Sequence, residues 1–130
     1  MAEMSNFLEN ALLNATLNAT TYTAPANIYV SLWTSDPTDA GSGTEVSGGS
    51  YARTAVSFAT ASGTSGNVLN DADVTFPTAT ASWGTVGWIG INDASTSGNL
   101  LYHTALDTAK AIDSGDIFKI STGNLSVTLA

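Results

Sequence analysis

Few side chains in this sequence could carry chemistry, and His103 comes first because it is the sole histidine among 130 residues. It stands in Leu100-Leu101-Tyr102-His103-Thr104, a stretch that reads as a strand. Histidine can act as a base or as a metal ligand near neutral pH. The chain has no cysteine, so a zinc site on His103 would need carboxylates converging from elsewhere. The sequence therefore makes His103 a structural or solvent-facing residue and assigns no metal and no cofactor.

Three acidic pairs come next: Asp36/Asp39, Asp71/Asp73 and Asp113/Asp116. Paired carboxylates can hydrolyse glycosides or hold calcium. Here they sit in Ser35-Asp36-Pro37-Thr38-Asp39, Asn70-Asp71-Ala72-Asp73 and Asp113-Ser114-Gly115-Asp116. Such segments are what turns use, because an Asp carboxylate accepts from the backbone just downstream. None has the spacing of a calcium loop, and no Gly-x-Ser-x-Gly elbow offers a nucleophile. The expectation is turn chemistry, no catalytic residue and no enzyme.

Aromatic and guanidinium groups point to binding instead. Trp33, Trp83 and Trp88 could stack on sugar faces or anchor a protein interface. The glycines in Trp83-Gly84 and Gly87-Trp88 favour close packing within or between subunits over sugar binding. Arg53, the one arginine, follows a glycine-rich segment, and its planar fork suits a single bidentate carboxylate. Glu45 is the candidate, either pinning that segment within the chain or reaching between subunits.

The elements that must position these groups are mostly strands. Only the first 17 residues show helical spacing, with Phe7, Leu8, Ala11, Leu12 and Ala15 on one stripe, widened by Leu13 and Leu17. Asn6 with Glu9 predicts the N-cap, and the helix should end near Asn18. Two roles fit it: a lid over a β core, or an element that docks on a neighbouring subunit. After Pro25 the period becomes two, with Ile28, Val30 and Leu32 facing opposite to Tyr29, Ser31 and Trp33. Further runs at 51–58, 67–69, 72–76, 86–91, 100–106, 116–120 and 125–129 lie between Gly, Pro, Asn and Asp breakers. The prediction is an all-β, antiparallel β-sandwich or jelly-roll-like domain of about eight strands with a short N-terminal α-helix. The helix takes residues 1–18 and the sandwich 19–130, with 39–50 as a mobile loop or extended arm.

Composition removes several partner classes. Three cations face 11 carboxylates, for a net charge of −8. Phosphate neutralisation needs several Lys or Arg along one track, so neither nucleic acid nor an anionic membrane is an expected partner. Charged residues are 11% of the chain, against roughly 25% in ordinary domains, and hydroxyls take their place. Such a surface lacks the charge density that keeps monomers apart and suits an assembly. The acidic, polar start Met1-Ala2-Glu3-Met4-Ser5-Asn6 does not read as a secretory signal, so synthesis in a cytoplasm is expected.

Read in order, several stretches resemble a known group. They are Asn6-Phe7-Leu8-Glu9-Asn10, Tyr29-Val30-Ser31-Leu32-Trp33-Thr34-Ser35-Asp36-Pro37 and Gly48-Gly49-Ser50-Tyr51-Ala52-Arg53. Thr75-Phe76-Pro77, Trp83-Gly84-Thr85-Val86, Gly98-Asn99-Leu100-Leu101 and Gly115-Asp116 follow. Together they resemble small virion structural proteins of tailed bacteriophages, labelled tail-fibre or head-decoration (capsid cement) proteins. The resemblance implies a virion protein with no enzymatic role, made in the host cytoplasm and contacting major capsid or tail proteins. It also implies a homo-oligomer, with a trimer as one option. The first expectation is a capsid decoration protein that grips neighbouring subunits through Phe7, Leu8 and Leu12, with Glu45 and Arg53 beside them. The alternative is a tail or tail-fibre component that recognises host-surface glycans through Trp33, Trp83 or Trp88.

Overall fold

Alternation begins where the sequence places it, in β2 (Ile28–Trp33), but both faces of that strand are covered. Val30 and Leu32 are fully buried on one side, and Ser31 and Trp33 are buried on the other. A two-sided strand needs a layer on each face, and the rest of the fold supplies them. The computed structural model describes residues 2–64 and 66–129.

In chain order the elements are β1 (Glu3–Met4), α1 (Asn6–Leu17), β2, β3 (Thr54–Val56), β4 (Asn67–Leu69) and β5 (Val74–Thr75). Then come β6 (Gly84–Asn92), β7 (Leu100–Ile112), β8 (Lys119–Ile120) and β9 (Ser126–Thr128). Five strands form one antiparallel sheet in the order β1-β7-β6-β2-β3. Two antiparallel ribbons, β4-β9 and β5-β8, complete the β structure.

The main core joins Val30, Leu32, Val86, Ile89 and Ile91 of the large sheet to Val74, Ile120 and Val127 of the ribbons. Phe76 and Phe118 meet edge-on between them, with ring centroids 5.6 Å apart. The all-β class and its short helix thus match the sequence reading. The second layer, however, is two short ribbons and not a sheet equal to the first. Each ribbon strand is only two or three residues long. Pro77 and the left-handed Gly66 and Gly123 stand beside those strands and limit their extension.

Leu8, Trp33, Leu100 and Leu101 are buried apart from that core. Close approach here requires a glycine in β6. A Cβ on Gly90 would stand 2.7 Å from Leu100 Cδ1, 2.8 Å from Ser31 Oγ and 3.0 Å from Trp33 Nε1. Ser31 donates to Asn92 Oδ1 (2.7 Å) and accepts from Trp33 Nε1 (2.8 Å), so the buried polar atoms under this layer are satisfied.

Three local expectations change. The helix is capped by Ser5, not Asn6: Ser5 Oγ accepts from the Leu8 N–H at 3.2 Å. Tertiary contacts select that residue, since the Ser5 N–H donates to Leu101 O (2.8 Å) and its hydroxyl to Leu100 O. The segment 39–50 is not a free arm. Val46 is buried and donates to Leu32 O at 2.9 Å, while Thr34 donates to Thr44 O at 2.9 Å. Finally, β7 continues six residues past the predicted end at 106 to reach Ile112. Residues 110–112 pair with 84–86, and a broad bulge separates them from the pairing at 102–105.

Candidate functional site

The sequence-nominated residues fall into three places: the exposed helix, a clamp on Arg53, and the surroundings of His103. On the helix, Leu8 is 3% exposed and roots α1 against β7. Phe7 is 42% exposed, Leu12 is half-buried, and Leu13 and Leu17 stand out at 54% and 75%. Leu8 therefore belongs to the fold, whereas the outward helix surface is apolar at Leu13 and Leu17, four residues apart and on one side.

Arg53 binds Glu45 through both arms, Nε to Oε2 and Nη2 to Oε1, each at 2.8 Å. Its Nη1 donates to the carbonyls of Ala94 (3.0 Å) and Ser97 (2.8 Å). The guanidinium thereby links the 39–50 segment to the turn between β6 and β7. Tyr51 completes the clamp: its hydroxyl donates to Glu45 Oε2 (2.7 Å) and accepts from the Leu32 N–H (3.0 Å). Burial, followed by the bond to Glu45, pushes the Tyr51 phenol well above its ordinary range. Glu45 in turn holds the Arg53 guanidinium in its charged form.

The tryptophans divide. Trp33 and Trp83 are buried, at 6% and 4% exposure, and their indole N–H groups are spent on Ser31 Oγ and Gly49 O. Trp83 also meets Tyr51 edge-on at 5.4 Å. Neither ring is free to stack on a sugar. Trp88 is half-buried and opens onto a cavity of about 240 Å³ shared with Glu3, Asp36, His103, Thr104 and Ala105. A second cavity of about 300 Å³ lies beside the start of α1, lined by Asn6, Phe7, Asp39, Arg53, Asn92 and Asn99 among others.

Two of the six paired aspartates, Asp36 and Asp116, do the expected turn work, while Asp71 and Asp73 bond segments remote in the chain. Asp36 Oδ1 accepts from the Thr38 N–H (2.9 Å), and Asp116 Oδ2 from the Asp113 N–H (2.9 Å). Asp71 accepts from the Ser57 hydroxyl. Asp73 takes the Thr122 N–H (2.8 Å) and hydroxyl (2.9 Å), which with Lys119 hold its carboxyl below the usual range.

Asp39 meets an imidazole instead. Its Oδ1 lies 2.8 Å from His103 Nε2, and Glu3 Oε2 lies 3.9 Å from the same nitrogen. His103 is buried at 6% exposure, and the register pairs it directly with Glu3 across β1 and β7. The sequence reading missed this meeting of residues 3, 39 and 103. No local spacing announces it, because a two-residue strand and a turn bring the carboxylates to the histidine. A second omission is Asn70, buried directly after β4 where a single β-bridge pairs it with Phe58. Its Nδ2 donates to Ala72 O and Ser121 O, and its Oδ1 accepts from the Leu125 N–H.

Among the described residues no helix is long and apolar enough to cross a membrane. No curated protein matches the chain. A family model does, that of the podophage GP4 fiber I protein gp80, and it aligns with residues 3–128. The matched span runs from β1, which supplies Glu3, to the end of β9. A match over nearly the whole length, including every element that builds the clamp and the His103 surroundings, shows that the chain belongs to the podophage GP4 fiber I protein gp80 family.

Proposed function

We propose that this protein is a non-enzymatic, fibre-type component of a podophage virion, which works by contacting other virion proteins through the outward face of α1. The family match over residues 3–128 carries the reading. The sequence alone put capsid decoration first; a fibre family supports the tail-side alternative better. The helix adds physical support, since Leu8 anchors it while Leu13 and Leu17 remain 54% and 75% exposed. Apolar side chains so exposed at helical spacing suit a groove on a partner. Self-association as a homo-oligomer remains part of the proposal, with the same helix face available for it. Where the fibre meets a host glycan, Trp88 is the tryptophan that remains half-open, because Trp33 and Trp83 are enclosed.

The test is a phage carrying Leu13→Glu and Leu17→Glu, which leave the buried Leu8 in place. Purified particles should hold much less of the protein than wild-type particles, while the isolated variant melts close to wild type. Undiminished incorporation would remove α1 as the contact element.

A further inference from the structure

We propose that Glu3, Asp39 and His103 form a binding site for a divalent transition-metal ion of the Zn²⁺ class, which fastens the N-terminal segment to the sheet. The three side chains come from β1, the segment after β2, and β7, and one ligand atom of each lies within 4.8 Å of the other two. His103 Nε2 faces both carboxylates, at 2.8 Å from Asp39 and 3.9 Å from Glu3. Nitrogen and oxygen ligands at about 2.0–2.2 Å around a tetrahedral zinc stand roughly 3.3 Å apart. The observed separations bracket that value, so small side-chain rotations close the site.

The scaffold divides the work as such a site requires. His103 is fixed, being 6% exposed on a long central strand. Glu3 and Asp39 are 72% and 47% exposed, so their carboxylates can pivot to the ion. Their backbones are held nonetheless: Glu3 pairs with His103 in the sheet, and Asp39 O accepts from the Asn6 N–H at 2.9 Å. The adjoining 240 Å³ cavity, which Asp36 also lines, leaves room for water ligands. Two of the three cations pair with other carboxylates, Arg53 with Glu45 and Lys119 with Asp73. One imidazole nitrogen with two carboxylate oxygens suits Zn²⁺, Co²⁺ or Mn²⁺, whereas Mg²⁺ prefers all-oxygen shells.

The three residues are remote in sequence, and the site stands whether or not α1 proves to be the virion contact. Untagged protein, stripped with a chelator, would be titrated with ZnCl₂ by calorimetry and followed by thermal melting. One-to-one saturable binding is expected, with a melting-temperature rise of roughly 10 °C at a hundredfold excess over Kd. Chelator should reverse the rise, and Mg²⁺ should not reproduce it. Glu3→Gln and Asp39→Asn should each weaken Zn²⁺ binding roughly tenfold or more. Glu3 is the more exposed, so its variant decides the matter even where Asp39→Asn disturbs the fold. A flat wild-type titration, or equal Zn²⁺ affinity in wild type and Glu3→Gln, would overturn the proposal.

Discussion

Arg53 and Glu45 form a bidentate ion pair, two parallel bonds of 2.8 Å with the side chains only 10% and 22% exposed. A pair this enclosed is costly to break from one side, because the remaining charge loses its partner without regaining water. It holds together two segments that carry little regular structure of their own, 39–50 and 93–99.

Replacing Arg53 should therefore loosen both segments at once. Arg53→Ala is expected to cost about 2–4 kcal/mol, read as a shift in the urea midpoint. Arg53→Lys keeps the charge but loses the fork and the two carbonyl contacts, so it should recover only part of the loss. Full recovery by lysine would show that charge alone matters here.

Glycine at 90 is a packing requirement and not a matter of backbone conformation. Gly90→Ala should destabilise the domain by about 1–3 kcal/mol, because Leu100, Ser31 and Trp33 must all give way. Gly87→Ala is the control on the same strand: its added carbon meets only Ala109 Cβ, at 4.0 Å, an ordinary contact. Denaturation midpoints of the two variants should separate clearly, and equal midpoints would contradict the packing argument.

Tyr51 should make the fold sensitive to alkali. Burial and the bond to Glu45 raise its phenol above the ordinary value of 10.0 in the folded state. The unfolded chain therefore ionises first, so this contribution is intact below pH 10 and is lost as the pH climbs beyond it. The loss should be about 1.4 kcal/mol per pH unit until the folded phenol itself ionises. Tyr51→Phe should start about 1 kcal/mol less stable near neutrality, having lost the bonds to Glu45 and Leu32. It should then lose less between about pH 8 and about pH 11 than wild type does. Urea titrations at the two pH values would measure both differences.

Particular residues show how far the sequence reaches. Period-two alternation at 28–33 and helical spacing at 7–15 are local, and each yields its element to within a residue or two. The turn role of Asp36 and Asp116 is local too, since each carboxylate bonds an N–H two or three residues away. Arg53 and Glu45 could be matched because the chain holds one arginine and a carboxylate eight residues before it.

Other features have no local sign. Residues 107–112 of β7 are mostly exposed and include Ala, Asp and Lys, poor strand formers, and their extended conformation comes from pairing with residues 84–86. Ser5 displaces Asn6 as the helix cap because carbonyls of Leu100 and Leu101, about 95 residues away, hold it in place. Trp33 and Trp83 look as available for binding as Trp88 until the sheet and the ordered 39–50 segment enclose them.

The same division applies to His103. By itself the sequence determined that this is an all-β chain with one terminal helix, few charges and a single imidazole. Short-range periodicity and composition suffice for that. Only the tertiary structure decided what the imidazole faces, because Glu3 and Asp39 reach it through strand pairing and a turn contact that close loops of 100 and 64 residues. Contacts across such loops are fixed by the packing of the whole sheet, and no window of neighbouring residues encodes them.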